Sequence, residues 1–265
     1  ECFEALYELK AEEIVVNYFK EGEEDETSTF DLFYLRNRKL GEEEGLTGSL
    51  NWSKTLFVPT ASGKELWLHK REVPYQIDEE LLPGRKSIED MLFVVDVSGS
   101  MGWTKQAFDG SKYDLALQAI FGVMKGLEKL GRGAHAKYGL VLFSGITAFS
   151  GWEGYYTLDR FKKLLFTGYQ GGGTVLGAVV MQQVLQQNRD RFLTLLISDG
   201  DIYNPDAASI FQTYLAAGND VIQFSIQGST SFSDAIKRHG ATVVPVDEPH
   251  HLAGLTLDKM TERYR

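Results

Sequence analysis

Cysteine is nearly absent: Cys2 is the single one among 265 residues. No intrachain disulfide can form, a composition that favours a reducing compartment, so the expectation is cytoplasmic. No apolar run reaches the length that spans a bilayer and no secretory signal is visible, although the chain starts on Glu1, not Met, which reads as a trimmed start. Basic residues are in deficit. The 27 Lys and Arg face 37 Asp and Glu, giving a formal net charge of -10 and a sequence pI near 5.1. That balance excludes a nucleic-acid backbone or an anionic membrane as the main partner and suits a basic or cation-bridged one. Two catalytic signatures are also missing: there is no GxxxxGK[ST] phosphate loop and no Gly-x-Ser-x-Gly elbow. The length suffices for one large or two smaller domains with a substantial core.

What the sequence does have is centred on Met91-Leu92-Phe93-Val94-Val95-Asp96-Val97-Ser98-Gly99-Ser100-Met101. An uninterrupted apolar run predicts a strand buried on both faces of a parallel sheet. It ends in a carboxylate and two hydroxyls spaced two apart, which an extended or turning backbone brings to one side. Asp96, Ser98 and Ser100 thus offer one charge and two neutral oxygens, a set that suits a hard divalent cation such as Mg2+. Gly99 is expected to take a conformation that a side chain would penalise. Without further support, the same residues read as an ordinary Ser/Gly loop after a strand.

Two later stretches add oxygen at predicted strand and helix ends. Gly171-Gly172-Gly173-Thr174 lets the backbone approach closely and puts Thr174 near a helix start, where its hydroxyl either caps the helix or reaches a shared cation. Leu195-Leu196-Ile197-Ser198-Asp199-Gly200 closes another buried strand on Asp199, which is either a turn residue or a further ligand. Asp201, two residues on, reads as a turn or cap residue.

The Asp-x-Ser-x-Ser run, the Gly-Gly-Gly-Thr loop and the Ser-Asp-Gly strand end, in that order, resemble the metal-ion-dependent adhesion site of von Willebrand factor A (VWA) domains. The likeness covers roughly Ser87 to the C-terminus and is similar in type to intracellular prokaryotic members. It implies a doubly wound, mostly parallel, Rossmann-like α/β sheet over 87–265, with residues 1–86 as a helical and β extension packing on it. It also implies that Ser98, Ser100 and Thr174 coordinate Mg2+, or Mn2+ or Ca2+, directly, while Asp96 and Asp199 act directly or through water. A Glu or Asp of a partner protein would fill the remaining position, and relatives of this type accompany MoxR-type AAA+ ATPases. The implied function is a cation-dependent protein interaction module and not an enzyme. Within the same family, an extracellular adhesion receptor is the alternative.

The competing class is a Mg2+-dependent phosphotransferase or hydrolase of the haloacid-dehalogenase type, whose pattern is Asp-x-Asp. Here Ser98 takes the second acid's place, so the general acid/base is missing.

Elsewhere, Phe3, Leu6, Leu9, Val15, Val16 and Phe19 recur at roughly helical spacing and predict an amphipathic helix, ended by a solvated acidic run from Glu21 to Glu26. Thr29–Leu40 fits either a strand or a short helix. Two extended stretches flank a Pro-Thr-Ala-Ser-Gly turn near residue 60 and predict a hairpin, and Asp78–Lys86 leads into the central strand. After it, helices are expected at 111–130, 157–166, from Thr174 or Val175 to Asn188, and at 205–217, 231–239 and 248–265. Strands are expected at 136–143, 146–152, 192–198, 221–226 and 242–246. Ser111 is the expected N-cap of the first of these helices, with Asp114 serving its dipole. His250 and His251 read as a solvated or capping pair, and Trp103 as a residue able to rim the metal motif.

Overall fold

The computed structural model describes residues 2–25 and 89–264, apart from 130–135, 189, 205 and 227, and four short strands between 37 and 71. The chain divides into two compact units, Thr27–Arg85 and a larger one made of Glu1–Glu26 with Lys86–Arg265. In the smaller unit, β2 (Leu56–Thr60) pairs antiparallel with β3 (Gly63–Trp67), the predicted hairpin. There, β1 (Asn37–Lys39) also pairs antiparallel with β4 (His69–Arg71). The rest of Thr29–Leu40 and the connection at 78–86 lie outside the described residues.

The larger unit holds a six-stranded sheet. Its strands are β5 (Asp90–Asp96), β6 (Lys137–Phe143), β7 (Thr147–Gly154), β8 (Phe192–Ser198), β9 (Asp220–Ile226) and β10 (Thr242–Val246), in the order β10-β9-β8-β5-β6-β7. All neighbours are parallel except β6 and β7, as the short link between those two requires. The apolar run of β5 lies between β8 and β6 and alternates between two cores. Met91, Phe93 and Val95 face one, and Leu92 and Val94 face the other. The first core is covered by α1 (Cys2–Asp25), α2 (Lys112–Lys129), α3 (Asp159–Thr167) and α7 (Leu252–Tyr264). The second is covered by α4 (Ala178–Gln187), α5 (Ala207–Ala216) and α6 (Ser231–Arg238). This is the expected doubly wound α/β sandwich. From β5 the chain runs outward to β6 and β7, then returns to the other side of β5 for β8 to β10. The direction of winding therefore reverses between β5 and β8, where such sheets bind ligands beyond their C-terminal strand ends.

α1 departs from its sequence reading in two ways. The helix continues through the acidic residues to Asp25, since Glu is a good helix former when nothing interrupts the chain. Its buried stripe is Tyr7, Ala11 and Val15, whereas Phe3, Leu6, Leu9 and Val16 are exposed. Packing chose the stripe at i, i+4, i+8 because Tyr7 has a specific seat. Its ring lies against Phe108, Phe121 and Phe166, and its hydroxyl donates to the buried Asp114 carboxylate. Burial and the Asp114 charge both push the Tyr7 phenol far above its ordinary range, so it stays a donor.

Candidate metal centre

β5 and β8 deliver Asp96 and Asp199 to either side of the switch point. The Asp96 carboxylate is fully buried. Its Oδ1 accepts from the Ser98 backbone N–H at 2.8 Å, and its Oδ2 accepts from the Ser198 hydroxyl at 2.9 Å. Burial pushes its carboxyl above the usual range despite these hydrogen bonds, and the nearby Asp199 charge adds to the rise. Among the described residues, no basic side chain lies within ion-pair distance of Asp96.

Three of the side-chain oxygens that the sequence grouped lie together. Ser98 Oγ lies 3.0 Å from Ser100 Oγ, and the Ser100 hydroxyl donates to Asp199 Oδ1 at 2.8 Å. Ser98 and Asp199 are buried while Ser100 is exposed, so the cluster opens to solvent on one side. Tyr169 supports it from below by donating its hydroxyl to the Ser98 carbonyl at 3.2 Å.

Backbone pairing holds the loop that carries Thr174 against the serine motif. The Gly171 N–H donates to the Val97 carbonyl at 3.0 Å, and the Gly99 N–H donates to the Gly172 carbonyl at 3.3 Å, which lays the glycine loop over the serine motif. The Tyr203 N–H then donates to the Thr174 carbonyl at 3.0 Å, which ties the glycine loop to the segment after Asp199. Gly171 and Gly172 need to be glycine, with φ of 68° and 102°. Gly99 does not: its φ is not positive, and an added Cβ would meet its nearest neighbour, Gly172 N, at 3.8 Å. The expectation for Gly99 is thereby corrected. Helix α4 starts only at Ala178, with Gly177 at its N-cap, so Thr174 is not a capping residue. Its side chain is buried.

Lys112, which no sequence pattern marked, opens α2 and places its ammonium 2.5 Å from Asp199 Oδ2. The pairing spans loops far apart in the chain, and only the fold brings it about. Trp103 does not rim the site. It is buried against Tyr113 and Tyr169 because the loop after Met101 turns its ring inward. Asp201 acts at a cap, as its sequence context suggested, accepting from the Phe232 N–H at 3.0 Å at the start of α6. Partial burial alone would raise its carboxyl; hydrogen bonds from Phe232 and neighbouring hydroxyls hold it below the usual range. Ser111 caps α2 as expected, accepting from the Asp114 N–H at 3.1 Å. Asp114 lies in the first turn of α2 as expected, and it is also fully buried as a hydrogen-bond hub. His250 and His251 are exposed, with Glu248 Oε2 at 3.1 Å and 3.7 Å from their Nε2 atoms.

The donor set fits Mg2+. Six ligands at about 2.0–2.1 Å in an octahedron leave neighbouring oxygens about 2.9 Å apart, close to the 3.0 and 2.8 Å separating Ser98, Ser100 and Asp199. The buried Asp96 charge, with no cation beside it, also calls for one.

No sequence-family model matches the chain, and no characterised protein sequence matches it. Solved structures do share its fold. Proximal thread matrix protein 1 from the mussel byssus aligns with a TM-score of 0.52 and 18% identity over 65% of this chain and 47% of that one. The pilus adhesin SpaC from Lactobacillus rhamnosus GG aligns with a TM-score of 0.54 and 12% identity, over 86% of this chain and 36% of the adhesin. The chain thus spans about half of the first protein and about a third of the second. The SpRpn10 VWA domain aligns over 64% of this chain and 95% of its own length, at 13% identity and a TM-score of 0.49.

Proposed function

We propose that this chain, a doubly wound α/β unit whose serine, threonine and aspartate motifs resemble those of von Willebrand factor A domains, is a non-catalytic module that binds an acidic residue of a partner protein through a divalent cation. The observation that carries the reading is the convergence of Ser98, Ser100 and Asp199 oxygens at octahedral-edge spacing beside the buried, uncompensated Asp96 carboxylate. Ser98, Ser100 and Thr174 would hold Mg2+ directly, with Asp96 and Asp199 orienting the hydroxyls or the retained waters. When bound, the ion supplies a positive centre, little neutralised by the protein, that attracts a carboxylate. Ser198 holds Asp96 in place from a fully buried position, which leaves it no role as a nucleophile. The Asp-x-Asp pair of the phosphotransferases is also not met, because Ser98 stands where their second acid would be.

No described helix is long and apolar enough to cross a membrane. The single cysteine, Cys2, is the ground on which a reducing compartment, the cytoplasm, is proposed. The resemblance to intracellular prokaryotic VWA proteins makes a MoxR-type AAA+ ATPase the first partner to test. The test is a pull-down from native extract in Mg2+ or in EDTA, with Asp96→Ala as control. Partners retained only by the wild type in Mg2+ support the reading. Metal-dependent turnover of phosphate esters that is lost in the same variant would overturn it in favour of an enzyme.

Lys112 offers a second check on the metal. Its ammonium beside Asp199 opposes any divalent ion bound there, a repulsion that solvent on the open side of the site screens. Lys112→Met is expected to tighten Mg2+ binding about tenfold by calorimetry, an energy of about 1.4 kcal/mol. An unchanged or weaker affinity would place the ion away from Asp199.

A further inference from the structure

The surface around the candidate centre is unusual for so charged a chain. Charged residues make up 24% of the sequence, yet none occurs between Lys163 and Arg189 or between Lys137 and Glu153. The first interval contains the glycine loop with Thr174 and helix α4; the second contains β6, β7 and the turn between them. Buried strands need no charge, but these intervals also reach solvent. Ile146 is 67% exposed, Val175 42% and Val179 69%, and Tyr203, on the loop after Asp199, is 75% exposed. Outside α1, the only other exposed large hydrophobic side chains among the described residues are Phe108 and Tyr156.

The backbones that carry Ile146, Val175 and Tyr203 lie next to one another. The Ser144 N–H donates to the Ile146 carbonyl at 3.1 Å, and the Val175 N–H donates to the Ser144 carbonyl at 2.8 Å. The Tyr203 N–H donates to the carbonyl of Thr174, the neighbour of Val175, at 3.0 Å. The turn carrying Ile146, the loop carrying Val175 and the segment carrying Tyr203 are therefore stitched side by side. Val179 stands in the first turn of α4, four residues beyond Val175. Exposed apolar side chains on two uncharged intervals and on the loop after Asp199, next to a polar centre, have the composition of a binding surface and not of a solvated one.

We propose that Ile146, Val175, Val179 and Tyr203 form an apolar collar on one side of the candidate metal centre, and that the partner is a protein segment presenting one Asp or Glu with bulky apolar side chains close beside it in sequence. The acidic half of this specificity rests on the metal-centre reading; the apolar half rests on the collar. Charge complementarity picks the occupant. With a net charge of -10 on the chain, a run of several acids would be repelled, whereas a single acid is held by a bound cation. A single carboxylate flanked by apolar groups satisfies both halves of the surface at little electrostatic cost.

The test selects peptides from a random nonapeptide display library on immobilised protein in Mg2+, elutes with EDTA, and measures Mg2+ binding separately by calorimetry. The expected result is enrichment of one Asp or Glu with Leu, Ile, Val, Phe or Tyr within three positions. Peptide binding should fall more than tenfold in the Ile146→Ser/Tyr203→Ser variant, while its Mg2+ affinity stays within twofold of the wild type. Enriched acidic peptides with polar flanks, or a variant that binds them as the wild type does, would overturn the collar and leave the metal centre standing. Mg2+ binding without any EDTA-sensitive enrichment would also overturn it. Absence of Mg2+ binding by calorimetry would remove the metal-centre reading itself, and the proposal with it.

Discussion

The Ser98→Ala/Ser100→Ala double variant is expected to bind Mg2+ at least about a hundredfold more weakly than the wild type. Each lost ligand oxygen removes an interaction of the strength of a hydrogen bond to a charged group, about 1.5–3 kcal/mol, and about 2.8 kcal/mol already corresponds to a hundredfold. The fold should survive. Ser100 is exposed, and the carboxylate that organises the motif keeps its contacts from the Ser98 backbone N–H and the Ser198 hydroxyl. Calorimetric titration with Mg2+, with melting in EDTA as the control for folding, separates a lost ligand from a lost fold. A double variant with Mg2+ affinity within threefold of the wild type would show that these hydroxyls do not bind the ion.

The second large effect is structural. Asp114 is fully buried and accepts from the Tyr7 hydroxyl of α1, from the Phe108 and Gly110 N–H groups of the loop after the motif, and from Gln118 Nε2 one turn along α2. One carboxylate thus joins the N-terminal helix, the loop that follows the serines, and the helix that carries Lys112. Asp114→Ala would leave several buried donors without an acceptor, at about 1–3 kcal/mol each, partly offset because a buried charge is also removed. The net loss is expected to be about 3 kcal/mol, which lowers the melting temperature by about 6–12 °C in a domain of this size. Tyr7→Phe deletes one donor and keeps the ring packing, so it should cost less than half as much. Equal losses for the two variants in thermal melts would show that the aromatic seat, and not the carboxylate network, holds α1.

The central strand illustrates why much of the fold was legible in one dimension. A strand covered on both faces has no polar side to show, so Met91 to Val95 read as an unbroken apolar run, and β8 did the same. Helix boundaries after residue 110 fell within a few residues of the sequence reading because caps and punctuation are local: Ser111 before α2 and Gly218 after α5 act within a turn of where they stand. The start of α4 was the exception. Thr174 resembled a cap by composition, but its backbone is engaged with Tyr203 across the switch point, and the helix begins at Ala178. α1 was legible as a helix but not in orientation. Its bulkier apolar residues pointed to one face, and the seat for Tyr7 selected another.

What the residues alone determined was the chemistry available: a carboxylate and two hydroxyls at alternate positions after a buried strand, a flexible loop ahead of a threonine, and a second carboxylate closing another buried strand. Their local order follows from periodicity and backbone freedom, which act over a few residues. Only the tertiary structure decided that these pieces face one another, that Lys112 stands against Asp199, that Trp103 turns inward, and that loops from three places with exposed apolar side chains are laid side by side. Those relations join residues far apart in the chain, and the winding order of the sheet, which reverses between β5 and β8, is what brings them to a single crevice.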